Sequence, residues 1–373
     1  MDEDRIKHNI YLIENRIREL LSQIQSPGLL NGKCGVSLFY LYLWMYTKNE
    51  DYREMAINIL EDSIENINFD NINFSLSTGL TGIAWTVEHF NRNGLIETNG
   101  AEVLGDLEND CFRVSLNLLR HENFDYLHGG LGYGIYCIEK PHSEEKIKTL
   151  SQIAQIIIEH SCTTSFGRTW EAKFNKRNAN SVEYNLGISH GIPSIIYFLI
   201  KVQPFIKQNN FVEESITWLK SVFYKDNINS KIPERIIDGI KIPQVSKLAW
   251  CYGDLGVSTS LLYAMANQNN YNDFLSICLN TIKRINHEYL ASMESGICHG
   301  VSGLAYMYNK LYNLSSNTSF KVASDKCFNF LLENENINSE DVSLLDGLSG
   351  IGLSYLSALS NKKASWDRVL LLS

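Results

Sequence analysis

The chain has 373 residues, 44 % of them hydrophobic and 20 % charged, with a formal net charge of −9 at pH 7. That length allows a large buried core, as one big domain or two ordinary ones. The acidic balance argues against nucleic acid as a partner, because a phosphate backbone needs a basic face, and no basic tract suits an anionic membrane.

The N-terminal stretch MDEDRIK is acidic where a secretory signal is basic, and no apolar segment of signal type follows it, so export is not expected. Ile6, Ile10, Ile13, Ile17, Leu20 and Ile24 then form a stripe at helical spacing, closed by Ser26-Pro27-Gly28, which predicts an amphipathic helix. The apolar run 36–46 is about half of the roughly 20 residues that span a bilayer, and it predicts a buried helix with no direct membrane insertion. Amphipathic helices are expected again over 51–67, 144–160 and 271–285. Strand signals are scarce. The eight cysteines lack the short regular spacing of a disulfide framework, so reduced thiols in the cytoplasm are expected.

One unit recurs along the whole chain: two glycines three apart, then an apolar helix. It begins at Asn31, Thr78, His128, His190, Tyr252, His299 and Asp346, each followed by the first glycine of its copy. Those glycines are separated by 47, 50, 62, 62, 47 and 47 residues. The fourth copy departs from the pattern, with Ser194 in place of the second glycine. Each copy pairs one helix that is apolar nearly all round with one that has a polar face. A helix apolar on every side must be buried. The expected fold is therefore all-α: an α/α toroid of seven inner and seven outer helices, formed by residues 1–373 as a single domain. The two long intervals hold insertions near 162–187 and 223–248. Both directly precede a repeat turn, so both are expected as loops at the same end of the ring, where they would shape a binding site.

The residue before each first glycine should face a shared central space, and all seven such residues are able to hydrogen-bond. One position earlier stand Cys251 in the fifth copy and Cys298 in the sixth, in the same register of neighbouring repeats. With His299 they make a set of two thiolates and one imidazole. Zinc takes four tetrahedral N/S ligands, so three protein ligands leave a place for chemistry. No further cysteine occupies this register; Cys34 lies between the glycines of the first turn, where packing is expected. Two thiolates make the ion a weak Lewis acid toward water but leave it suited to binding a thiol and lowering its pKa. A thiolate that attacks needs its proton handled elsewhere. His190 stands in the register before glycine and is suited to acid/base work near neutral pH. Asp125, in the neighbouring copy, is placed to orient it. His128 is a further candidate, and Tyr252 is placed to donate to a developing enolate oxygen.

The motifs Ser189-His190-Gly191, Trp250-Cys251-Tyr252-Gly253 and Cys298-His299-Gly300, on seven such repeats, resemble the LanC family of lantibiotic cyclases over nearly the whole chain. The resemblance implies the α/α toroid with one zinc ion, and addition of precursor-peptide Cys thiols to dehydroalanine or dehydrobutyrine. The products are lanthionine and methyllanthionine rings. It implies Cys251, Cys298 and His299 as zinc ligands, His190 and Asp125 as the acid/base pair, and Tyr252 as the motif tyrosine. Lys247 stands where the family often has Arg, keeping the charge and losing the guanidinium fork. His128 stands where an acidic residue is more usual. The implied partners are a dehydrated precursor peptide with its leader, a dehydratase and an export transporter, with the chain cytoplasmic and peripheral at the membrane only through them. Three rivals stand beside the cyclase. They are a glutathione-binding or transferase protein of the same family, a scaffold for leader peptide and dehydratase, and an unrelated α/α barrel. Among barrels, a glycoside hydrolase wants paired carboxylates, for which only Asp125 and Asp346 qualify.

Overall fold

The computed structural model describes residues 2–67, 73–174, 176–206, 210–226, 229–265, 271–334, 339–360 and 364–373. Residues 175 and 227–228 of the two insertions lie outside the described residues. In chain order the helices are α1 (Glu3–Leu20), α2 (Lys33–Thr47), α3 (Glu50–Glu65), α4 (Leu80–Arg92), α5 (Gly100–Leu104) and α6 (Asp106–Arg120). Next come α7 (Leu131–Glu139), α8 (Glu144–Glu159), α9 (Ile192–Val202), α10 (Phe211–Ser221), α11 (Gly253–Ala264) and α12 (Tyr271–Thr281). The last are α13 (His287–Ala291), α14 (Val301–Ser315), α15 (Thr318–Asn334) and α16 (Leu348–Leu359). Each of the seven repeat turns opens a helix, namely α2, α4, α7, α9, α11, α14 and α16. These helices are buried almost all round; in α9 only Lys201 escapes burial. The alternating helices bury one stripe. In α1 that stripe is Ile6, Ile10, Ile13, Ile17 and Leu20, as the spacing predicts, together with Glu14. Ile24 lies beyond the helix and is half-buried.

The paired glycines have a common structural cause. A Cβ on the first would meet the carbonyl six residues earlier, at 2.2 Å from Asn185 O in the case of Gly191. A Cβ on the second would do the same at Gly35, Gly82, Gly256, Gly303 and Gly350, at 2.0 Å from Trp250 O in the case of Gly256. These turns thus fold back on the backbone of their own approach, and only hydrogen fits between. At the departing copy, buried Ser194 donates its hydroxyl to Gly191 O at 2.7 Å.

The chain divides into two compact units. The first comprises 1–108 and 282–366. In it α16 packs against α2, α14 and α1, α2 also packs against α3 and α4, and α14 packs against α15. Its turns are tied in sequence by backbone bonds: Ile297 N–H to Leu345 O (2.7 Å), Leu344 N–H to Leu30 O (3.0 Å) and Leu30 N–H to Ser77 O (2.8 Å). The last copy therefore bonds directly to the first.

The second unit comprises 109–281 and 367–373. There α9 packs against α7, α8, α10 and α11, and α11 packs against α12. This unit also holds the two insertions, which are not loops alone. They carry β1 (Cys162–Thr164), β2 (Gly167–Thr169), β3 (Glu183–Asn185), β4 (Arg235–Ile237) and β5 (Ile240–Ile242). β1 and β2 form a hairpin whose β2 lies on α10. The other three form an antiparallel sheet in the order β3-β4-β5, with Glu183 opposite Ile237 and Asn185 opposite Arg235. Both insertions thus contribute to one sheet. The β4–β5 turn is Asp238-Gly239, with φ of 48° and 83°, the left-handed pair that a two-residue hairpin needs. Among the described residues no helix is long and apolar enough to cross a membrane.

Candidate active site

In the second unit, Asp125 sits in the turn before α7 with only 7 % of its surface exposed. Its Oδ1 accepts the backbone N–H groups of Leu127 (2.8 Å) and His128 (3.0 Å). Its Oδ2 accepts Nδ1–H of His190 at 2.7 Å. Burial opposes ionisation of this carboxyl. The His190 hydrogen bond and charge, with the His128 amide, outweigh it, so Asp125 titrates below its ordinary value. An ionised carboxylate only accepts, so the His190 hydrogen lies on Nδ1 and Nε2 is left to face a reactant. His128 stacks on His190 at 5.7 Å between ring centroids, and burial pushes its pKa down, with Asp125 opposing that shift. A narrow, open cleft lies beside this pair, lined by Asp125, His190, Asn185, Trp170, Ile192 and Ile195 among others.

The turn carrying His190 is fastened to the one carrying Cys251. Ser189 donates to Cys251 O through its backbone N–H (3.4 Å) and its hydroxyl (3.3 Å). Gly253 opens α11 at φ 83°, and a Cβ there would lie 2.2 Å from Lys247 O. Asp254 follows, 2 % exposed, accepting the N–H groups of Lys231 and Ile232 and so pinning the second insertion to the start of α11. Tyr252 reaches toward β3 and β4. Its Oη accepts from Arg235 Nη2 at 3.0 Å and Asn185 Nδ2 at 3.3 Å. The Arg235 guanidinium also pairs with Glu183, which has no exposed surface. Burial alone would lower the Arg235 pKa, but Tyr252 and Glu183 raise it above its ordinary value. Lys247 is exposed, with its backbone N–H on Glu234 Oε1 at 3.3 Å.

In the first unit, Cys298 and His299 occupy the turn before α14, and Cys298 N–H donates to Leu345 O at 3.0 Å. His299 Nε2 lies 3.0 Å from Glu294 Oε2, and its Nδ1 lies 3.9 Å from Asp346 Oδ1. The described residues include donors able to hold a metal ion, namely Cys251, Cys298, His299, Glu294 and Asp346. None of the eight cysteines is in a disulfide, and Cys251 and Cys298 are half-exposed. Cys34 is buried core, as its position in the turn led us to expect, and burial pushes its pKa to about 12.

The structure therefore joins His190 to Asp125 and sets Cys251 and Tyr252 beside the His190 turn. Sequence reasoning missed Arg235, Glu183 and Asn185. The one available signal was Ile236-Ile237-Asp238-Gly239, a hairpin pattern that puts Arg235 on a strand.

Repeated helix-opening glycine turns, an Asp–His pair beside a cleft, and thiol and imidazole donors at turn positions define a helical-repeat protein with an acid/base and metal-ligand repertoire. Residues 23–371 match the lanthionine synthetase C-like family, and the chain belongs to it. It is 22 % identical to the nisin biosynthesis protein NisC of Lactococcus lactis subsp. lactis, over 94 % of this chain and 91 % of that one. It is also 22 % identical to the glutathione S-transferase LANCL1 of Danio rerio, over 94 % and 89 %. A solved structure of nisin cyclase superposes with a TM-score of 0.78 at 19 % identity, covering 98 % of this chain and 97 % of that one. That likeness gives the fold, an α/α toroid, as the repeats predicted.

Proposed function

We propose that this chain is a zinc-dependent cyclase that forms lanthionine and methyllanthionine rings in a precursor peptide. Membership of the family supports the reading, and so does the cyclase among its relatives. The observation that carries it is the 2.7 Å bond from His190 to buried Asp125 beside an open cleft. In this reading Cys251, Cys298 and His299 hold one zinc ion. Two thiols and an imidazole suit zinc, and three ligands leave a fourth place. A zinc ion held there would supply the Lewis acidity that lowers the pKa of a thiol brought to it.

This chain's residues then manage the acceptor and the proton. The peptide sulfur bonds to Cβ of the dehydroamino acid, and the π pair moves onto the carbonyl oxygen as an enolate. Tyr252 donates its O–H to that oxygen. His190 Nε2, bare at rest, takes the proton that the peptide thiol gives up and returns it to Cα, while Asp125 holds Nδ1–H and supports the intervening imidazolium. Lys247 adds a positive charge near the Tyr252 turn. The substrate is the dehydrated peptide with its leader, and a dehydratase and an export transporter are the expected partners of a cytoplasmic chain.

The test is a peptide carrying dehydroalanine and cysteine, incubated with the purified chain and reduced glutathione, with and without zinc. Zinc-dependent loss of the free thiol at unchanged peptide mass is expected. The relative that is a glutathione S-transferase supplies the second reading. Under it the peptide would keep its thiol and gain the mass of one glutathione, and that result would refute the cyclase.

A further inference from the structure

Tyr252 is held by more than its own turn. Its ring packs on Gly187, where a Cβ would come within 2.5 Å of Cε1. The two donors on its Oη come from different insertions: Asn185 on β3 and Arg235 on β4. Arg235 cannot turn away, because its other terminal nitrogen pairs with Glu183, whose carboxylate is fully buried and also accepts Arg177 N–H at 2.9 Å. A phenol oxygen has two lone pairs and one hydrogen. Both lone pairs are occupied here, so the hydrogen can only point away from the sheet.

We infer that Arg235, clamped by Glu183, is a positioning residue that forces the Tyr252 hydroxyl to act as a donor toward the reactant. This rests on the role proposed above for Tyr252. It assigns to the β4 strand a guanidinium that the sequence sought at Lys247. A planar fork suits the task because one nitrogen binds the carboxylate while the other reaches the phenol, which an ammonium at Lys247 does not reproduce.

A double-mutant cycle of Arg235→Gln with Tyr252→Phe tests this. Arg235→Gln should slow ring closure about tenfold in the native background and less than twofold in the Phe background, with zinc content unchanged. Because a lone Glu183 carboxylate in the core endangers folding, Glu183→Gln/Arg235→Gln serves as the matched second variant and should behave the same way. A separate readout needs no turnover: the 13Cζ resonance of Tyr252, assigned by its loss in Tyr252→Phe, should move in both Arg235 variants. Equal slowing in both backgrounds, or an unmoved resonance, would overturn the inference. If no variant and no native protein closes rings, the cyclase reading fails, and the resonance alone still decides whether Arg235 governs the phenol.

Discussion

Replacing Asp125 with Asn changes one atom and inverts the logic of the His190 contact. Two backbone N–H groups, from Leu127 and His128, already point at Oδ1, so the amide must keep its oxygen there. Its NH2 then faces His190 Nδ1 across the 2.7 Å now spanned by an N–H and a carboxylate oxygen. Donor would meet donor unless the imidazole moves its hydrogen to Nε2. The neutral tautomer that results satisfies the amide but removes the partner that sustains an imidazolium. Loss of a charge-assisted bond at so buried a site should cost about 1.5–3 kcal/mol of stability. Loss of the general acid should slow ring closure by about 10²–10⁴-fold. The assay is thioether formation in the dehydroalanine peptide, with zinc content as a control and imidazole 15N shifts to report the tautomer. A variant within threefold of native rate, with the hydrogen still on Nδ1, would refute the reasoning.

Cys251→Ser and Cys298→Ser should each cut bound zinc well below one ion per chain, measured by atomic emission, whereas His190→Ala should keep the metal and lose turnover. Gly253→Ala adds a Cβ 2.2 Å from Lys247 O at a φ of 83°, so thermal unfolding should show a loss of about 1–3 kcal/mol. Stability should also fall with acid in two stages, read as urea midpoints against pH. The His128 pKa is lowered on folding, so its contribution is complete above the unfolded value near 6.5 and is lost as pH falls through the folded one. Asp125 is lowered as well, so its contribution holds above about 3.9 and is lost at still lower pH. His128→Gln should abolish the first stage and leave the second.

The helices were legible because their periodicity is local: the stripe from Ile6 to Leu20 is the buried face of α1, and every glycine pair does open an inner helix. The pairing of Asp125 with His190 spans 65 residues, yet the repeats anticipated it, since the two stand in the turns of adjacent copies, Asp125 four residues and His190 one residue before the first glycine. The sheet was not legible in the same way. Its strands are three residues long, too short for an alternating pattern, and β3 finds its partner in another insertion. Arg235 was missed for that reason: Glu183 lies 52 residues away, and no repeat relates the two. The insertions were expected as loops because their polar composition resembles loops, while Asp238-Gly239 was the overlooked mark of a hairpin.

The strand order β3-β4-β5 ties the fates of two segments far apart in the chain. β4 is the middle strand, so removing the second insertion would strip β3 of its neighbour and leave Glu183 a buried anion with no cation. Removing the first would leave Arg235 without its anchor. Neither segment is a dispensable ornament that a lineage could gain or shed alone. A chimera built by exchanging only one of them with a relative should come out crippled, and exchanging both together is the workable graft.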